Sequence, residues 1–208
     1  RYPQPYAGGY PEQTPPFPGG YRAPATGVPV AVTADGVPLA GWWWRVLAVI
    51  VDSFIVNAIA AIPSIGIYAR LFDKLAEFFR TAMQAAQTGQ PPPPSPAPTD
   101  LISASDQLIL LMIGLAVALA YHLTFLRWKA ATPGKLICRL RVVPVDQGRR
   151  LGPLPWNTIL IRVGVWVLPG LHPLLLIFKL LDVLFPLWQP KRQALHDLAA
   201  RTQVVRLG

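Results

Sequence analysis

The sequence is poor in cysteine, in histidine and above all in acid. A single cysteine, Cys138, rules out an intrachain disulfide and any cysteine-based metal cluster. It is expected to be a small buried side chain in a reduced compartment. The three histidines lack zinc-type spacing. There is also no nucleophile elbow and no adjacent carboxylate pair with a histidine base. The chain is therefore not expected to be an enzyme, and no cofactor or metal is expected. Gly134-Lys135 does not complete a phosphate loop, because Lys129 stands where the first glycine belongs and Leu136 where serine or threonine is needed. Charged residues make up only 14% of the 208 positions, against about 25% in soluble domains. Ten acids face 19 bases, for a net charge of +9. The bases sit beside apolar runs and do not form a stripe with aromatics, so nucleic acid is not the expected partner. Membrane topology explains their placement.

What is abundant is apolar, at 52% of the chain, and it comes in blocks. The stretch from Trp42 to Pro63 has the ~20 residues that match a ~30 Å hydrocarbon core. Three tryptophans at its start suit a membrane–water interface. Two charges, Arg45 and Asp52, lie inside it. Such a group costs at least ~2.5 kcal/mol at membrane depth and is by default a functional candidate. Their spacing places both on one helical face, but about 10 Å apart along the axis, too far for a tight pair.

The sequence predicts an all-α, small polytopic helical membrane bundle. Residues 1–38, with nine prolines, form a Pro/Gly/Tyr-rich tail that cannot bury a core. Tyr2, Tyr6, Tyr10 and Tyr21 are its candidate partner-docking side chains. A chain opening on Arg1 is expected to continue a longer one. The first span covers about 43–65 and is closed or kinked by Pro63 and Gly66. Residues 67–87 read as an amphipathic interfacial helix, with Leu71, Leu75, Phe78, Phe79, Ala82 and Met83 on its apolar side. A proline-rich spacer follows. The second span, about 106–126, offers small residues for close helix approach and carries His122 near its end. A histidine in such a place is usually hydrogen-bonded and structural; the alternative is a proton carrier.

Residues 127–153 hold seven bases against Asp146, which assigns this loop and the N-terminal tail to the cytoplasm; Lys191, Arg192, Arg201 and Arg206 against Asp197 return the C-terminus there too, unless the last apolar region crosses only once. Within it, Leu136 to Val145 reads as a short helix or strand. The last apolar region is broken at PGLHP into arms of about 156–168 and 174–188, a hairpin. One tilted span is the alternative. Arg162 and Asp182 in these arms are candidate partners for Asp52 and Arg45. Lys179 is expected to snorkel to the surface. Arg45, beside the tryptophans, can also reach headgroups or Asp197. Lys135 and Asp197 are a candidate structural pair tying the C-terminus to the basic loop.

Several of these pieces resemble one family. Trp44-Arg45 to Asp52-Ser53, Thr132-Pro133-Gly134-Lys135 with Leu140-Arg141-Val142-Val143, Arg162, and Leu195-His196-Asp197 with Thr202 occur in order over about 40–206. The chain resembles the RDD family of bacterial membrane proteins, in a proline-rich, actinobacterial form. The resemblance implies a bacterial inner-membrane location and, for some members, ion or sodium/proton exchange. It marks Arg45, Asp52, Arg162 and Asp197.

Two functions follow. The first is an accessory or assembly subunit of a larger membrane complex, held by the tail and helix faces. The alternative is a small ion- or proton-coupled transporter built on a buried Asp52, with His122 and Arg162 at membrane depth. Expected partners are the lipid bilayer and other membrane subunits. Four helical segments are few for a pathway, which makes a homo-oligomer possible.

Overall fold

The computed structural model describes residues 31–207. The four candidate docking tyrosines lie outside the described residues.

Helix α1, Trp42–Thr88, is a single helix of 47 residues. The expected break at Pro63 and Gly66 does not occur. Proline removes one ladder donor, and membrane helices tolerate this when neighbouring groups compensate. The carbonyl left without its ladder donor is that of Ile59; the neighbouring Ser64 hydroxyl goes instead to the Ala60 carbonyl at 2.8 Å. The helix stops at Gly89, whose φ of 68° is left-handed and whose N–H reaches the Ala85 carbonyl. At 1.5 Å per residue, α1 is about 70 Å long, more than twice a ~30 Å hydrocarbon core.

The chain returns through an extended proline run and one turn, α2 (Pro98–Leu101), into α3, Ala104–Lys129. Ser103 caps α3 by accepting from the Asp106 N–H at 3.1 Å. Arg70 pairs with Asp106 at 2.6 Å, and Lys74 donates to the Asp100 carbonyl at 2.6 Å. The outer part of α1 is thus tied to the start of α3. In α1 and α3 only 11% of the most apolar 18-residue window is buried. A soluble core helix hides its apolar side chains; these present theirs outward, as lipid-facing helices do.

At the other end, α4 (Pro133–Ile137) leads into β1 (Leu140–Pro144), which pairs antiparallel with β2 (Thr202–Arg206). Leu39 bridges Val205 on the free edge of β2, so residues just before α1 add to this small sheet. β1 resolves the helix-or-strand alternative; β2 was not expected, and its valines are fully buried. The last apolar region forms α5 (Trp156–Val167), two 3-10 turns through Leu168–Leu171 and Pro173–Leu175, and α6 (Leu176–Leu184). A further 3-10 turn, Phe185–Leu187, precedes α7 (Leu195–Ala199). The main core joins Ala48, Leu126, Leu140, Ile159, Val163 and Val204, where the helices meet the sheet.

Candidate functional site

Three buried carboxylates organise the sheet end of the bundle. Asp52 on α1 is 4% exposed. Its Oδ1 accepts from the Tyr121 hydroxyl at 2.6 Å and from the Gly134 N–H at 2.8 Å. Its Oδ2 accepts from the Thr132 hydroxyl at 2.5 Å, with Lys135 Nζ 4.0 Å away. The expected Asp52–Arg162 pair does not form, because the Thr132–Lys135 turn covers the acid first. That turn needs glycine. A Cβ on Gly134 would lie 2.8 Å from the Asp52 carboxylate and press on the Ala48 carbonyl.

Asp197 on α7 is fully buried between two arginines. Arg45 reaches its Oδ2 at 2.8 Å, and Arg162 bonds both its Oδ1 and the Thr202 hydroxyl. The Ala194 N–H adds a bond at 3.1 Å. Burial alone would raise the Asp197 pKa, but Arg162, His196 and Arg45 hold it far below the usual carboxylate range. Lys135 pairs with Asp52 and not with Asp197, reversing the expected tie. Burial pulls the Lys135 pKa down to about 8, against the attraction of Asp52.

Asp182 on α6 is the third. It accepts from the His196 N–H at 2.8 Å and lies 2.6 Å from His196 Nδ1. It does not meet Arg45, which Asp197 has claimed. Burial lowers the His196 pKa, outweighing the two neighbouring carboxylates.

Two cavities flank this network. One of about 60 Å³ is lined by Arg45, Lys135, Arg162, Asp182 and His196, with apolar walls from α1, α5 and α6. The other, about 360 Å³, lies deeper between α1, α3 and the 3-10 break. Its polar lining is Asp52, Ser53, Asn57, His122, Lys135 and Lys179. Val49, His122, Lys135 and Trp166 line both and form the partition between them. His122 is 9% exposed and stacks edge-on to Tyr121, without the hydrogen bond expected of it among the described residues. Lys179 does not snorkel outward; it sits 4.9 Å over the Trp166 ring, at the cavity.

Arg45, Asp52, His122, Arg162, Asp182, Lys135 and Asp197 therefore do converge, with different partners. Sequence reasoning missed Tyr121 and Trp166 as members of the site, and His196 and Thr202 entered only within a family motif. Thr132 and Gly134 entered only as part of a family motif. The one available signal was adjacency, since Tyr121 precedes His122 and His196 precedes Asp197.

Long apolar helices with outward-facing surface and a buried charge network define a small helical membrane protein. The RDD profile matches residues 39–201, so the chain belongs to the RDD family of bacterial membrane proteins. No curated protein and no solved structure matches it.

Proposed function

We propose that the protein is a small transporter of the inner membrane, with the two cavities as its solute path. The observation that carries this reading is the partition: His122, Lys135, Trp166 and Val49 separate a polar chamber at membrane depth from a smaller one beside Arg45 and Arg162. Ionisable side chains at that depth are costly and mark pathways in membrane proteins. By the positive-inside rule the smaller chamber faces the cytoplasm.

The wall favours an anionic solute. Lys135 pairs with Asp52, the one acid among the chamber's described lining residues, whose oxygens are both engaged, and Lys179 adds a cation that no carboxylate of that lining offsets. Asp52 accordingly holds the Thr132–Lys135 turn and is not the carrier. Coupling to protons falls to Lys135, with His122 beside it in the partition. The test is solid-supported-membrane recording on proteoliposomes under anion, sodium and pH jumps. Anion-evoked current that falls at least tenfold in Lys135→Met and His122→Ala is expected. Current evoked by sodium alone would overturn the anionic solute, and no current under any gradient would overturn transport.

The accessory-subunit role is the second reading. Its support is the anchoring of residues 31–40 on the sheet, where the Ala40 N–H bonds the Val204 carbonyl at 2.9 Å. Purification from native membranes with and without residues 1–30 tests it. Loss of a co-purifying membrane subunit on truncation is expected under this reading, and identical recovery of every chain would sink it.

A further inference from the structure

The outer half of α1 carries two separate apolar faces. One runs through Ser64, Ile67, Leu71, Leu75, Phe78 and Ala85, all buried or half-buried. The segment returning to α3 is pinned on α1 there by the Lys74 and Arg70 contacts. The second face is open. Ile62, Ile65, Phe72, Phe79 and Met83 are 62–73% exposed. They are spaced by three, seven, seven and four residues, which is an alternating a/d heptad pattern. Ala69, Ala76 and Ala86 fill the remaining a and d positions and are also exposed. The expected single amphipathic face is corrected here: Phe79 and Met83 belong to a different face from Leu71, Leu75 and Phe78.

Lipid does not cover the outer part of the open face. From Trp42–Trp44, a ~30 Å core is used up after about 20 residues, near position 64. The helix runs on through Pro63 without a break, so Phe72, Phe79 and Met83, eight or more residues further along it, stand beyond the hydrocarbon.

We infer that this face is a parallel two-stranded coiled coil with a second copy of the chain. Four arguments choose that occupant. A bilayer holds every copy at one height and in one orientation, so identical layers meet without sliding. Phenylalanine at d alternates with alanine at a through the middle of the stripe, which lets each large side chain pack beside a small one. No a or d position is charged, and the g positions Tyr68, Leu75 and Ala82 place no charge against Asp73 or Arg80 at e, so no like-charge pair opposes association. Five large side chains of on the order of 100 Å² each give about 1,200 Å² for the pair with the alanines, the lower bound of specific interfaces.

The test is oxidative cross-linking in native membranes. Ala69→Cys and Ala76→Cys face their own copies across the two-fold, within the ~4.4–6.8 Å Cα separation that a disulfide needs. Thr81→Cys and Gln84→Cys lie on the outside at f and b. Covalent dimer at 69 and 76, at least tenfold above 81 and 84, is expected. Equal cross-linking at all four, or none at 69 and 76 when those thiols react with maleimide, overturns the inference. Native mass spectrometry of Phe72→Glu/Phe79→Glu supplies a second reading. The mass should fall from two copies to one; an unchanged mass, or a wild-type particle of one copy, overturns it.

Discussion

Tyr121 donates its hydroxyl to Asp52 over 2.6 Å, joining the two long helices through a buried polar contact. The same carboxylate holds the Thr132 hydroxyl and the Gly134 N–H, so one side chain fixes α1, α3 and the turn into α4. Removing it strands three buried donors and leaves Lys135 without its anion. Asp52→Ala should cost about 3–5 kcal/mol, and Tyr121→Phe about 1.5–3 kcal/mol, the range for a bond to a charged group. Asp52→Asn should fall between wild type and Asp52→Ala, because its oxygen still accepts. Reversible unfolding in mixed micelles checks the order, and an Asp52→Ala protein as stable as wild type would refute it.

Gly134 and Gly114 make a matched pair. A Cβ at Gly134 meets backbone and carboxylate, whereas one at Gly114 meets nothing within 4 Å. Gly134→Ala should destabilise by at least about 1–3 kcal/mol through overpacking. Gly114→Ala should be neutral or slightly stabilising in the same unfolding assay.

Asp197 is shared by Arg45 and Arg162, so Asp197→Asn leaves two buried guanidinium groups short of an anion. A loss of about 3–5 kcal/mol is expected. The pH dependence has a definite sign. A carboxylate with a depressed folded pKa contributes stability above its unfolded value, near 4, and loses it progressively as pH falls. Melting temperature in detergent should drop below pH 4 in wild type and drop less in Asp197→Asn.

Lys135 works in the opposite direction. Its folded pKa, about 8, lies below the ordinary 10.5. Between those values the unfolded chain holds the proton more tightly, so stability rises with pH across that window. Lys135→Met should flatten the rise. A wild-type melting temperature that falls steadily from pH 8 to 10.5, with Lys135→Met parallel to it, would contradict the assignment.

The two long helices were legible because a bilayer demands long apolar runs and little else produces them. The position of the PGLHP break was legible for the same reason, since proline and glycine interrupt a helix wherever other groups do not compensate. Pro63 misled because one missing ladder donor does not end a helix whose flanking residues on both sides remain helical. The charged residues were readable as a set, because charge at membrane depth is rare. Their pairing was not. Asp52 meets Thr132 and Gly134 from about 80 positions further on, and which loop covers which face is decided by packing that periodicity does not encode. β2 escaped notice because five residues are too few for alternation to stand out. Its buried Gln203, which accepts from the Asp146 N–H, looks like a solvent-facing position.

The Asp52 contacts also impose an order of assembly. Among the described residues, every partner of that acid, from Tyr121 to Lys135, is synthesised 69 or more residues after it. The first helix therefore enters the bilayer before any of these partners has been made, at roughly 2.5–3.5 kcal/mol for its acid on insertion scales. Its apolar neighbours have to carry that cost until α3 and the turn arrive. Maturation of the first span is thus a late event, and a ribosome stalled before position 135 should expose a helix that the translocon holds but the membrane does not yet keep.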